Sequence, residues 1–267
     1  MIIDSHVHVW AADTPLWPER SYTPDHPTPM DTMLSVMDAH GVDGAVLVQP
    51  SFLGTDNGYL LEALAKHPDR FRGVAVVDTE TTSGALEDLR AAGVTGLRLN
   101  IIHGVVPDVS TDSWRGLFAR AVVAGLHIQL HLDASMAPKV LPPIVAAGAV
   151  VVVDHFGRPD PHLGAEDPEW RSILDLGRDD RHRVKLSAPY RLGGVAPEAL
   201  MPGLLEAFGP AGLLWGSDYP WTRHEAGRSY QACLDSVTTW VAAADARTRV
   251  LSHTAAELYD FRSVHQA

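Results

Sequence analysis

Residues 2–9 read IIDSHVHV, a short run in which Asp4, His6 and His8 alternate with other residues. Side chains on a strand point to its two faces in turn, so these three polar residues are expected on one face and Val7 and Val9 on the other. No Gly-x-Gly-x-x-Gly turn follows the run, which argues against an open dinucleotide-binding sheet. Seven further β-rich runs follow: GAVLVQP, GVAVVD, GLRLNII, HIQLHLD, VVVVDHF, RVKLSAP and LLWGSD. Helix-like stretches separate them, from MDTMLSVMDAH to SYQACLDSVTTWV, and many stop at a glycine just before the next strand (Gly41, Gly93, Gly125, Gly148, Gly209). Glycine is the expected helix-stop residue. Strands alternating with helices imply a parallel sheet, because parallel neighbours need crossover connections. A count of eight predicts an α/β fold, a single (β/α)8 TIM barrel over residues 1–267. The segment TRVLSHTAAELYDF is expected as an extra C-terminal helix packed outside the barrel.

The bulk composition narrows the function classes. The chain has 267 residues and a formal net charge of -12, with 46% hydrophobic and 20% charged residues. An acidic chain has no general attraction for phosphate backbones or anionic lipid, so neither nucleic acid nor a membrane is an expected partner. No apolar run reaches the roughly 18 residues of a membrane span, and MIIDSHVHVW lacks the basic and apolar regions of a secretory signal. The single cysteine, Cys233, excludes an intrachain disulfide and fits a reducing cytoplasm. A homo-oligomer is compatible with the sequence, which does not specify one.

Catalytic groups of such barrels lie at the C-terminal ends of the strands. There the chain carries His6 and His8 on strand one, His131 on strand five, Asp154 and His155 on strand six and Asp218 on strand eight. Alternation points His155 the same way as Val153. Imidazole and carboxylate are ligands for a borderline divalent ion such as zinc or manganese. Any one of these residues could instead be a hydrogen-bonded polar group of the barrel; their shared position at strand ends is what points to a metal site.

The motifs DSHVHVW, ERSYTP, GLRLN, VVVDHFGRPD and WGSDYPW, in this order and spacing, resemble the amidohydrolase superfamily in the branch called amidohydrolase family 2. Within it the chain is similar to lactone hydrolases acting on 2-pyrone-4,6-dicarboxylate. The resemblance implies that His6 and His8 form the strand-one pair, that His155 orients or polarises the substrate carbonyl, and that Asp218 takes the proton of the attacking water. It implies that Arg98 and Arg191 hold substrate carboxylates and that Tyr22 lines the pocket. The pyrone lactonases work without metal and carry a tyrosine where this chain has His131. A histidine there matches the strand-five ligand of metal-using members, which completes a His6–His8–His131–Asp218 metal set. Strand four ends RLNII without a lysine, so one metal or none is expected. Gly104 falls where the pyrone lactonases have a further substrate arginine, a departure that bears on the substrate.

The function implied is hydrolysis of a carboxylate-bearing lactone or similar cyclic ester by an activated water, with one divalent metal, zinc or manganese. Metal-dependent non-oxidative decarboxylases of aromatic acids share the framework and give the alternative. The proline- and aromatic-rich stretch WAADTPLWPERSYTPDHP reads as a long loop forming a pocket wall, with Arg20, Tyr22 and His26 as candidate contacts. Tyr219, Trp221, Arg223, His224 and His103 are expected near the same pocket. His40, His67, His162, His182, His253 and His265 read as surface residues.

Overall fold

The computed structural model describes residues 1–102 and 106–261; His103, Gly104 and His265 lie outside them. Eight strands are present: β1 (Ile3–Val7), β2 (Gly44–Val48), β3 (Phe71–Ala75), β4 (Val94–Asn100), β5 (His127–His131), β6 (Val151–Val153), β7 (Arg183–Leu186) and β8 (Leu213–Trp215). They lie in sequence order in one sheet, each parallel to the next. Helices α1 (Met30–His40), α2 (Gly58–Lys66), α3 (Ser83–Ala91), α4 (Asp112–Val123), α5 (Ala137–Ala146), α6 (Pro168–Leu174), α7 (Pro197–Phe208) and α8 (Tyr230–Trp240) alternate with the strands. All five expected helix-stop glycines adopt positive φ. Among the described residues no helix is long and apolar enough to cross a membrane.

The sheet curls until β8 meets β1, and backbone bonds stitch this seam. Asp218 N–H donates to His6 O and His8 N–H to Tyr219 O, both at 2.9 Å, and the Ser5 hydroxyl donates to Trp215 O. Gly216 permits the approach, since a Cβ there would lie 2.7 Å from the His6 Cβ. Gly216→Ala should therefore push the seam apart. We expect a loss of about 1–3 kcal/mol, the usual cost of overpacking, visible as a lower Tm in thermal denaturation; an unchanged Tm would show that the seam yields freely.

Outward-facing Ala45, Leu47, Ile128, Leu130, Val151 and Val153 join the helix-side core, while Val46, Val48, Val74, Val152 and Leu214 face one another inside the barrel. Two short helical pieces, α9 (Ala244–Thr248) and α10 (Thr254–Tyr259), end the described chain, joined by a π-turn over Arg249–His253. They are the expected C-terminal helical addition, split in two, and Ala255, Tyr259 and Phe261 pack on the inner cluster and close the N-terminal mouth. The driving force is plain: two aromatic side chains withdraw on the order of 300 Å² from water, worth several kcal/mol by transfer.

Two alternation arguments need correction. The pairing of β1 with β2 shifts register between Asp4 and Val7. Ile3 therefore faces the barrel interior, and Asp4 does not share a face with His6 and His8. It reaches out to α8, where the Tyr230 hydroxyl donates to it at 2.7 Å. On strand six the extended backbone ends at Val153, and His155 (φ 54) and Phe156 (φ 58) are left-handed. That turn, rather than alternation, swings His155 to the axis. Among the described residues, seven of the eight non-glycine residues with positive φ follow β6, β7 or β8: His155, Phe156, Arg158, Ala188, Asp218, Trp221 and Arg223. Such backbone is costly for an L-residue and concentrates at functional sites. His182, expected on the surface, is buried and accepts from the Val151 N–H at 3.0 Å.

Candidate active site

The seam puts three anionic or imidazole groups face to face. His8 Nδ1 lies 2.7 Å from Val48 O. A carbonyl only accepts, so the proton is on Nδ1 and Nε2 presents a lone pair. That lone pair faces Asp218 Oδ1 at 3.4 Å. His6 Nε2 lies 3.4 Å from the same oxygen, while its Nδ1 stands 3.2 Å from Asp154 Oδ1 and 3.4 Å from Lys185 Nζ. The carboxylate is nearer and favours a proton on Nδ1, which leaves the His6 Nε2 lone pair on the Asp218 side. His6 Nε2 and Asp218 Oδ1 are both buried without a hydrogen-bond partner among the described residues. Lone pairs converging on a carboxylate repel it unless a cation or a proton lies between.

His6, His8 and Asp218 offer ligand atoms all within 4.8 Å of one another. Two imidazoles and a carboxylate, open on one side to a cavity, fit a catalytic divalent ion of the zinc or manganese type. A second such group, His6, Asp154 and His155, is less free, because Asp154 already faces Lys185 Nζ at 3.6 Å and accepts from Gln129 Nε2 at 3.1 Å.

Burial and neighbouring charge set the protonation states. Burial lowers the His6 pKa to about 4, against the opposing pull of Asp154. His155 and His131 are driven well below the ordinary imidazole value, chiefly by burial. Burial alone would raise the Asp218 pKa, but Arg191 and the surrounding imidazoles outweigh it and hold the carboxyl well below its usual range. The site at neutral pH thus contains neutral imidazoles and an anion, the states in which ligands bind metal.

Asp218 Oδ2 is fully engaged. The Tyr190 hydroxyl donates to it, and so does Arg191 Nε at 3.0 Å. Burial, reinforced by Asp218, raises the Tyr190 pKa and keeps that hydroxyl protonated. Oδ1 is therefore the oxygen left for chemistry. His155 Nε2 stands 3.9 Å from it, with Nδ1 2.8 Å from Ser187 Oγ.

Above these groups opens a cavity of about 430 Å³ that also reaches Tyr22, Ser51, Arg98, Asn100, His131 and Arg191. Arg98, Arg191 and Tyr22 thus line one cavity with His8, His155 and Asp218. His131 lines the cavity but belongs to neither three-residue ligand group. Arg98 Nη2 points at its Nδ1 at 3.2 Å, and a guanidinium only donates. The His131 proton is therefore on Nε2, the tautomer that donates a hydrogen bond rather than ligating an ion. Of the loop candidates, Tyr22 and Arg223 line the cavity, along with Trp17, Glu19, Ser21 and Thr222. Arg20 instead donates to Thr23 Oγ1 and Trp17 O. Trp221 is buried and donates to Ser217 O, and His26 and His224 do not line the cavity.

Two contributors escaped the sequence reading. Tyr190 sits in a loop with no periodic signal. Lys185 had one: a lysine at the inward position of RVKL, where a parallel strand should be apolar. It is fully buried beneath the site, donating to Ser5 O at 2.8 Å and Gln129 Oε1 at 2.7 Å. Burial lowers its pKa to about 8, with Asp154 opposing.

Comparison with known proteins agrees with this architecture. The chain is 30% identical over 234 residues to a 2-pyrone-4,6-dicarboxylate hydrolase of Comamonas testosteroni, covering 82% of this chain and 76% of that one. It is 28% identical over 225 residues to a 4-sulfomuconolactone hydrolase of Rhizobium radiobacter, covering 81% and 75%. A crystal structure of a probable 2-pyrone-4,6-dicarboxylic acid hydrolase from Acinetobacter baumannii, with citric acid bound, superposes with a TM-score of 0.92 at 32% identity, covering 97% of this chain and 99% of that one. The amidohydrolase family model matches residues 3–261, and the chain belongs to that family.

Proposed function

We propose that this protein hydrolyses a carboxylate-bearing lactone or similar cyclic ester. The observation that carries the reading is the convergence of His6 Nε2 and His8 Nε2 on Asp218 Oδ1, where His8 and Asp218 line a cavity walled by arginines. His6, His8 and Asp218 would hold one divalent ion, zinc or manganese. When bound, such an ion lowers the pKa of water from near 16 to about 7. Asp218 Oδ1 accepts the proton of the attacking water and returns it to the ring oxygen as the C–O bond breaks. His155 faces the same oxygen from strand six and is set to polarise the substrate carbonyl. The His131 Nε2–H adds a donor on the cavity wall; one well-placed donor to a developing oxyanion is worth about 3–4 kcal/mol. Arg98 and Arg191 give the wall its positive charge, and Tyr22 supplies an aromatic surface. The single cysteine supports a reducing compartment, the cytoplasm, as its location.

Hydrolysis of 2-pyrone-4,6-dicarboxylate, followed by loss of its ultraviolet absorbance, tests the activity; carbon dioxide released from a benzoate-like acid, without ring opening, would point to a decarboxylase instead. Elemental analysis of protein purified without chelator tests the ion. We expect near one equivalent of a transition metal, lost in His8→Ala and retained in His131→Ala. A protein that carries no metal and takes up neither zinc nor manganese would leave His6 and His8 as hydrogen-bonding groups of a metal-free lactonase. Loss of metal from His131→Ala alone would make His131 a ligand after all.

A further inference from the structure

Three arginines line the cavity, and they are not equivalent. Arg98 directs Nη1 to Gln49 O at 3.0 Å and Nη2 to His131. Arg191 is held by Asp218. Both hold parts of the site together before any substrate arrives. Arg223 is different. It follows β8 in the left-handed region (φ 71), where its backbone N–H donates to Glu225 Oε1 at 2.9 Å. Its guanidinium carbon stands 5.5 Å from the centroid of the Tyr22 ring. Among the described residues no carboxylate lies within 4.0 Å of that guanidinium, and Glu19, which lines the same cavity, does not pair with it.

A guanidinium resting on an aromatic face keeps its forked edge free, and that edge matches a carboxylate or sulfonate in shape and charge. We propose that Arg223, stacked on Tyr22, forms an outer anion subsite that reads a second acidic group on the substrate ring. This rests on the lactonase reading and narrows it: the substrate carries two acidic groups, one held deep in the cavity and one at its mouth. Tyr22 comes from the loop after β1 and Arg223 from the loop after β8, so the subsite spans the barrel seam and lines the same cavity as Asp218. An anion clamped there fixes the ring over the groups that open it.

The test compares two pyrones that differ by one carboxylate, 2-pyrone-4,6-dicarboxylate and 2-pyrone-6-carboxylate, on the wild type, Arg223→Gln and Arg223→Lys. Loss of one charge-assisted pair should raise KM for the dicarboxylate about ten-fold, with kcat changed by less than about two-fold. The monocarboxylate should be nearly indifferent, and lysine should restore part of the loss because it keeps the charge without the fork. Equal losses on both pyrones, or a fall in kcat alone, would overturn the subsite. Citrate binding by calorimetry gives a readout independent of turnover, and its Kd should weaken about ten-fold in Arg223→Gln. Failure of the wild type to open either pyrone would count against the lactonase reading, and the citrate titration would still decide on Arg223: an unchanged Kd overturns the proposal.

Discussion

Asp218→Asn should lower kcat/KM for a ring-ester substrate by about 10³–10⁴-fold, at the upper end of what a positioned proton-transfer group contributes. The substitution keeps the shape of the side chain and removes its charge. Among the described residues, Oδ1 is the only carboxylate oxygen within 4.0 Å of His6, His8 and His155 together, so no described neighbour replaces it as a proton acceptor. Arg191 and Tyr190 simultaneously lose the anion that both now contact. Steady-state kinetics measures the effect, with elemental analysis separating loss of metal from loss of the base. A variant within ten-fold of the wild type would sink the assignment, because a barrel kept only for binding or scaffolding would tolerate the change.

The second large effect concerns stability. Lys185→Met nearly conserves volume but leaves Asp154, fully buried, with Arg98 Nη2 at 3.8 Å as its remaining cation, and takes the donor from Ser5 O and Gln129 Oε1. Breaking a buried pair from one side costs about 3–5 kcal/mol, and the lower end is expected here because Arg98 still offsets part of the remaining charge. For a chain of this size that corresponds to a fall in Tm on the order of 10 °C. Adding Asp154→Asn should return part of it, since removing both charges avoids a buried carboxylate that has lost its nearer cation. If the single variant melts with the wild type, the Lys185–Asp154 pair is not carrying the barrel interior. A double variant worse than the single would mean that Asp154 matters to His6 independently of Lys185.

The alternation of β-rich and helical runs made the barrel legible in the sequence, because each parallel strand must be apolar and each crossover amphipathic. Its polar exceptions marked most of the site: His6, His8, His155 and Asp218 stand together as strand-end groups should. The errors arose where the backbone stops being periodic. A register shift in β1 sends Asp4 outward, and left-handed residues after β6 aim His155; neither leaves a pattern in the residue types. His131 shows a different limit. Its position suits a ligand, but the hydrogen bond from Arg98 decides which nitrogen carries the proton, and a contact between β4 and β5 side chains cannot be read from either strand alone. Tyr190 was invisible for the same reason, its role existing only because the β7 loop folds back over Asp218.

The seven left-handed residues behind β6, β7 and β8 bear on how such a protein can diversify. At about 1 kcal/mol or more each, their combined strain is of the same order as the whole net stability of a typical domain. Glycine at Ala188, where only a methyl group is lost, would relieve part of it and raise the melting point, yet would loosen the turn that carries Tyr190 and Arg191 to Asp218. Lineages selected for heat tolerance and lineages selected for turnover should therefore diverge at these positions. The rim after β1 to β5 carries no such residue among those described. New substrates are thus expected to be acquired on that side, by exchange in the Trp17–Tyr22 stretch, while the opposite side stays fixed.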